Sequence, residues 1–276
     1  MLRLLKIEWN KIYYYKAARV FTFIYFGLLI LMGLFLSQFK TSVNGTDLDL
    51  AKLGAFDFPY IWQNITYFAA IGKIFLAVII ITNITNEYSN RTLKQNLIDG
   101  LSKKEFIQSK FLTTLVFSLL STLFIFLIGL ILGVSFSENS VSFFQNIDFI
   151  GAYFMKLVLF FSFCMFLSVL MKKTAFSFLM LFVWWVLESI LGGVESFLRI
   201  KFFDQNPLKV KMVYNYLPLQ TSSNLIKFPE LSLEDYILGG RPFTQGAVDY
   251  SFFIVSVFYI IIFVMLSYIL LKKRDL

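Results

Sequence analysis

The 276-residue sequence contains no histidine and a single cysteine, Cys164. Imidazole is therefore excluded as base, nucleophile or zinc ligand, and an intramolecular disulfide is excluded as well. Cys164 lies inside an apolar run and reads as a small packed hydrophobe. Charge is scarce: 15% of residues are charged, against 58% hydrophobic and 19% aromatic, a balance that rules out an ordinary soluble domain. No G-x-x-x-x-G-K-[ST] occurs, since Gly72-Lys73 lacks both the earlier glycine and the hydroxyl residue that should follow. The chain does not bind and hydrolyse ATP by that route.

What is present is apolar and long. A bilayer core of about 30 Å needs roughly 20 apolar residues per helical crossing. Six runs qualify, over residues 20–36, 61–84, 111–134, 150–171, 175–197 and 251–271. Their continuity, without strict alternation, excludes an outer-membrane barrel. The fold class expected is all-α, a polytopic membrane protein with six transmembrane helices. The first run reads as a retained helix, because "FLSQFK" has no small-x-small cleavage site.

Lysine and arginine mark the cytoplasmic side of a membrane protein. Arg3, Lys6, Lys11, Lys16 and Arg19 precede the first run, and Arg91, Lys94, Lys103, Lys104 and Lys110 separate the second from the third. Lys172 and Lys173 join the fourth to the fifth, and Lys272, Lys273 and Arg274 end the chain. Together these are fifteen of the 25 basic residues. Both termini are expected in the cytoplasm, with residues 37–60, 135–149 and the 192–249 loop outside. The net charge of +8 is then mainly a topology signal, and nucleic acid is not an expected partner.

Residues 1–19 place Leu2, Leu5, Trp9 and Ile12 at spacings of three and four, with Arg3, Lys6, Asn10 and Lys11 largely elsewhere. This predicts an amphipathic helix at the membrane interface, in contact with lipid. An extension of the first span is the alternative. Between the second and third runs, Leu93, Leu97 and Leu101 recur every four residues with Ile98 beside them, which predicts a short helix with a narrow apolar stripe. Gly100 fits the left-handed position that ends it. Ser102 with Glu105 reads as a capping box for the next helix, and Leu101 and Phe106 hold the hydrophobic-staple positions. A stripe, a stop and a cap in succession suit a docking element: the leucines would anchor a soluble partner, rimmed by Glu87, Arg91, Lys94 and Asp99. A helix resting on lipid headgroups is the other reading.

Together these features resemble the permease subunit of an ABC-2 type ABC transporter. The resemblance implies six spans, both termini inside, an interface helix and a cytoplasmic coupling helix over residues 86–101, in a single transmembrane domain. On the loop "NEYSNRTLKQNLIDGLSKKEFIQSK" the family's pattern falls on Glu87, Thr92, Asp99, Gly100, Ser102, Lys103, Lys104 and Lys110. "YLPLQTSSNLI", residues 216–226, is similar to the family's segment before the last span. The family's hairpin between the fifth and sixth spans is compact, whereas residues 192–249 are longer and carry Pro207, Pro218, Pro229 and Pro242. The resemblance further implies a separate ATP-binding-cassette ATPase that holds ATP and Mg, no cofactor in this chain, and a second permease chain, identical or different.

An ionisable group near the bilayer centre costs roughly 2.5 to 3.5 kcal/mol on insertion scales, so such residues face a bundle interior or a cavity. Lys73 and Glu188 fall at comparable depth and are expected to pair, either fixing helix packing or lining a pathway. Lys156 is expected to snorkel outward. Gly129 and Gly133 permit close helix approach. Trp184 and Trp185 read as bilayer or core contacts.

Three functions fit. A permease subunit would export a hydrophobic or amphipathic substrate, with energy from the partner ATPase. A non-transporting membrane anchor or sensor would use the same loop for a signalling partner. An intramembrane lipid-modifying enzyme would need a polar constellation within the spans, and none is visible. The Phe, Ile, Asn and Lys bias points to an AT-rich bacterial genome, hence to the bacterial plasma (inner) membrane.

Overall fold

A computed structural model describes residues 2–38, 40–43, 46–49, 54–137, 143–203, 212–229 and 246–274. Six helices are long and apolar enough to cross a membrane: Lys16–Phe35, Tyr60–Ser89, Lys103–Phe136, Asp148–Met171, Thr174–Phe202 and Tyr250–Lys272. In chain order, α1 (Leu2–Tyr14) and α2 (Lys16–Gln38) are followed by a small antiparallel hairpin of β1 (Lys40–Val43) and β2 (Thr46–Asp49). Next come α3 (Tyr60–Ala69) and α4 (Lys73–Ser89), joined by a 3-10 turn over Ala70–Gly72, so the second span is one helix with a break in it. The short α5 (Thr92–Ile98), the long α6 (Lys103–Phe136), α7 (Asp148–Met171) and α8 (Thr174–Phe203) complete the first five spans. A 3-10 turn (Val213–Tyr216), α9 (Pro218–Asn224) and α10 (Tyr250–Lys272) follow.

The bundle is built around α7. It touches α3, α4, α6, α8, α9 and α10, and 72% of its most apolar window is buried, against 17% for α8 and 22% for α2 and α10. Those outer helices present apolar surface to whatever surrounds the bundle, as membrane helices must. Three interior hydroxyls satisfy one another: Tyr25, Ser121 and Tyr153 join between α2, α6 and α7, with Tyr153 2.9 Å from Tyr25 and 3.0 Å from Ser121. Gly129 and Gly133 of α6 lie under the Trp62 and Phe58 rings, where an added Cβ would come within 2.8 Å and 2.3 Å of ring carbons. The glycine pair thus serves packing within the chain.

The stretch beginning at residue 192 starts with three further turns of helix, because α8 runs on to Phe203. Pro207 and Pro242 lie outside the described residues. The part of the loop that returns to the bundle is held by one face of α8. Glu195 accepts from the backbone N–H groups of Val213 and Tyr214, both at 2.9 Å. Two turns earlier, Glu188 accepts from Leu219 at 3.1 Å and Gln220 at 2.9 Å. Between them Gly192 lets the Tyr214 ring approach to 2.9 Å of where a Cβ would stand.

Candidate functional site

The N-terminal helix, the C-terminal end of α4, all of α5 and the start of α6 meet at the end of the bundle that also carries the C-terminal end of α10. The local structure of the α4–α6 connection follows from its sequence. Arg91 takes a left-handed conformation (φ 56°), which stops α4 and redirects the chain. After α5, Gly100 (φ 95°) closes the helix: Leu101 N–H bonds to Asn96 O at 2.9 Å and Gly100 N–H to Leu97 O at 3.2 Å, the double closure that only a left-handed residue permits. Ser102 then caps α6. Glu105 N–H donates to Ser102 Oγ at 3.1 Å, and Ser102 N–H donates to the Glu105 carboxylate at 2.9 Å. The helix expected over 86–101 is thus split, with α4 extending to Ser89 and α5 covering Thr92–Ile98.

The leucine stripe turns the other way from the docking expectation. Leu93 is 1% exposed and packs into the core, with Leu97 and Leu101 half-buried against the same cluster. The physical reason is that a two-turn helix gains most by laying its only apolar stripe on its own bundle. The outward face is formed by Arg91, Thr92, Lys94, Asp99, Gly100 and Ser102, with Ile98, 76% exposed, as its apolar member.

Behind this face lies a buried cluster of four charges. Lys110 of α6, 1% exposed, donates to Glu8 of α1 at 2.7 Å and pairs with Glu87 of α4. Lys11 of α1 bridges the same two carboxylates, at 2.9 Å to Glu87 and 3.3 Å to Glu8. Neutral groups complete the shell. Asn83 donates to Glu8 at 3.0 Å, Asn96 of α5 to Glu87 at 3.1 Å, and Ser109 to Glu8 at 3.4 Å. Two carboxylates face two ammonium groups, so the cluster is neutral overall and each member is bonded, the condition under which burial of charge is tolerated. Burial raises the Glu8 carboxyl, but Lys110, Lys11 and the hydrogen bonds outweigh it and hold Glu8 below the usual carboxylate range. Burial likewise lowers Lys11, and the Glu8 and Glu87 carboxylates more than reverse this and raise it.

The cluster joins four helices through one polar knot. A cavity of about 400 Å³ opens beside it, lined by Lys11, Tyr15, Asn86, Asn90, Thr92 and Gln95 among others. Lys103 adds a tie to the last helix through carbonyl oxygens of Lys272 at 3.3 Å and Arg274 at 2.8 Å.

Glu87 and Lys110 fall on the family's loop pattern, but the other members of the cluster, Glu8, Lys11, Asn83 and Asn96, do not. A signal existed. Glu8 is the only acidic residue of α1 and lies in register with Leu4 and Ile12, both buried. A lone carboxylate on the apolar side of a helix calls for a cation from elsewhere. The face assigned to α1 is corrected accordingly: Leu4, Glu8 and Ile12 turn inward, while Trp9, grouped with the apolar face from spacing, is 52% exposed with Tyr13 and Tyr14 beside it.

The structure does not bring Lys73 and Glu188 together. Glu188 is taken by the Trp184 indole N–H at 2.7 Å and by the first-turn N–H groups of α9, where Pro218 at the first helical position leaves Leu219 and Gln220 as the orphan donors. Lys73 instead lies over the Phe160 ring, 4.4 Å from its centroid. Nor does Lys156 snorkel outward. It is 4% exposed and donates to Ser223 O at 3.3 Å and Ile226 O at 3.5 Å, at the other end of α9. The short helix is therefore gripped at its start by a carboxylate of α8 and at its end by an ammonium group of α7.

A family model described as "ABC-2 family transporter protein" matches residues 2–276, so the chain belongs to that family. A search of curated proteins gave no match. The protein is a multi-pass membrane component of a transport system.

Proposed function

From that membership we propose that the chain is the permease subunit of an ATP-binding-cassette exporter for a hydrophobic or amphipathic substrate. A separate ATPase subunit binds ATP and Mg and docks on the outward face of α5. Two permease chains form the pathway, both termini face the cytoplasm, and the membrane is the bacterial inner membrane. In this arrangement Trp9, Tyr13 and Tyr14 of α1 rest among lipid headgroups, where aromatic side chains are at home.

The observation that carries the reading is the bond from Asn96 to Glu87. It connects the exposed α5 to a buried knot whose other members belong to α1, α4 and α6. A push on α5 from ATP-driven closure of the partner reaches two spans and the N-terminal helix without a flexible link between. Such a rigid connection is what converts a local displacement into a rocking of helices.

The exposed face supplies the test. Co-expressed with the host's ATP-binding-cassette ATPases, the wild-type protein should retain one of them on purification. Ile98→Asp with Lys94→Glu should abolish that retention while leaving the thermal midpoint unchanged, since both side chains are exposed. Undiminished retention by the folded double variant would remove α5 as the docking element.

A further inference from the structure

Among the described residues, Lys73 lies near the middle of its span and has no hydrogen-bond or ion-pair partner, unlike Lys110 and Lys156. It is half-buried, beneath no carboxylate, with the Phe160 ring as its nearest compensation. Its position is central: the second span runs from Tyr60 to Ser89, and Lys73 lies about 20 Å along the helix axis from the first end and about 24 Å from the second. It also follows directly on the 3-10 turn of Ala70–Gly72, where this span is broken. A mid-span cation at a helix discontinuity is costly, and one ring face offsets only part of that cost.

The missing negative charge has few possible sources. The acidic residues of the six spans are Glu87, Glu105, Asp148, Glu188 and Glu195. Glu87 and Glu105 belong to the terminal end and Asp148 begins α7 at the far end. Glu188 and Glu195 are engaged by backbone N–H groups of the returning segment. Among the described residues, an identical second chain has the same commitments and so supplies no free carboxylate at this depth. Headgroups of the resting bilayer lie near the span ends, about 15 Å from the midplane. Lys156, one turn from Phe160 on α7, adds a second positive charge and no negative one.

We propose that Lys73 receives the anionic head of an amphiphile in transit, a carboxylate or phosphate monoester on an apolar chain. The inference rests on the permease reading and gives its substrate a sign of charge. The Lys73 ammonium group pairs with the head at mid-depth, and the exposed Ile71 and Ile74, within one turn of Lys73 along the same span, offer apolar surface to the chain. No covalent step is involved.

The test is equilibrium binding to the full chain in phosphatidylcholine nanodiscs, with dodecyl phosphate, dodecanoate and dodecyltrimethylammonium as probes. Wild type should bind the two anions at least about tenfold tighter than the cation of the same chain length, as expected when one desolvated charge decides the contact. Lys73→Met should bring the three probes to parity, and Lys73→Arg should restore the preference. Lys73→Gln serves in place of the methionine variant if that one fails to fold. Equal binding of anions and cation by wild type, or a preference that persists in folded Lys73→Met or Lys73→Gln, overturns the inference. The permease reading fails separately: a protein that retains an ATPase through α5 but shows no charge preference loses only this site. One with the preference and no ATPase keeps the site and loses the transporter.

Discussion

At the terminal end of the bundle Glu8, Lys11, Glu87 and Lys110 share one buried cluster, whereas deeper in the spans Lys73, Lys156 and Glu188 are kept apart. The first group satisfies charge with charge across helices. The second satisfies charge with helix ends or, for Lys73, with a ring face alone. A closed cluster fixes the helices that contribute to it, because separating any two members uncovers a buried charge. Isolated charges on backbone groups fix only the short element they hold, and Lys73 fixes none. One region is therefore built to move as a unit and the other to leave a charge available.

The largest test of that contrast is Lys110→Met. It leaves Glu8 and Glu87 buried with only Lys11 between them, and should destabilise the fold by about 3 to 5 kcal/mol, the usual cost of orphaning a buried ion. Lys73→Met, measured by the same thermal or denaturant unfolding in the same detergent, should cost far less or stabilise, since no described group loses a salt bridge. Equal losses in the two variants would erase the distinction between the regions.

An intermediate effect is expected at α9. Glu188→Gln keeps a carbonyl acceptor but removes the charge that two backbone N–H groups and the Trp184 indole now share. A loss of about 1 to 2 kcal/mol follows from weakened charge-assisted bonds. Hydrogen exchange should show it at residues 218–224 while α1 and α5 stay as protected as before. Exchange that rises equally at α5 would mean that the two regions are coupled.

How legible these regions were depended on how local their determinants are. The Gly100 stop, the Ser102–Glu105 cap and the six apolar runs are decided within a few residues, and the sequence displays them. The cluster is assembled from positions 8, 11, 83, 87, 96 and 110, so pairing cannot be read from spacing; its one local sign, Glu8 as the sole acid of an otherwise basic helix, says nothing of which cation meets it. Depth arithmetic placed Lys73 and Glu188 at one level but could not give their azimuth around the helix. That azimuth, which turns Lys73 to Phe160 of α7 and Glu188 to the start of α9, is what separates them. The direction of the leucine stripe failed for a related reason: periodicity tells that Leu93 and Leu97 share a face, but not whether the bundle or a partner covers it.

The smallest effect is a pH window, and its sign distinguishes the cluster from the isolated charges. Glu8 titrates below its ordinary value of 4.5, so its contribution is present above that value and lost as pH falls through the lower folded one. Lys11 titrates above 10.5, so its contribution is full below that value and lost as pH rises through the higher folded one. The thermal-midpoint difference between wild type and Glu8→Gln should therefore be steady from about pH 5 upward through neutrality and shrink in more acidic buffer. For Lys11→Met the difference should hold through neutrality and shrink only above about pH 10.5. Each comparison cancels the titration of groups outside the cluster, leaving the mutated residue and the cluster members coupled to it. A Glu8→Gln difference that grows in acid would mean that Glu8 is held as the neutral acid, and the terminal end would then be a set of hydrogen bonds and not the closed ion cluster that joins α5 to the spans.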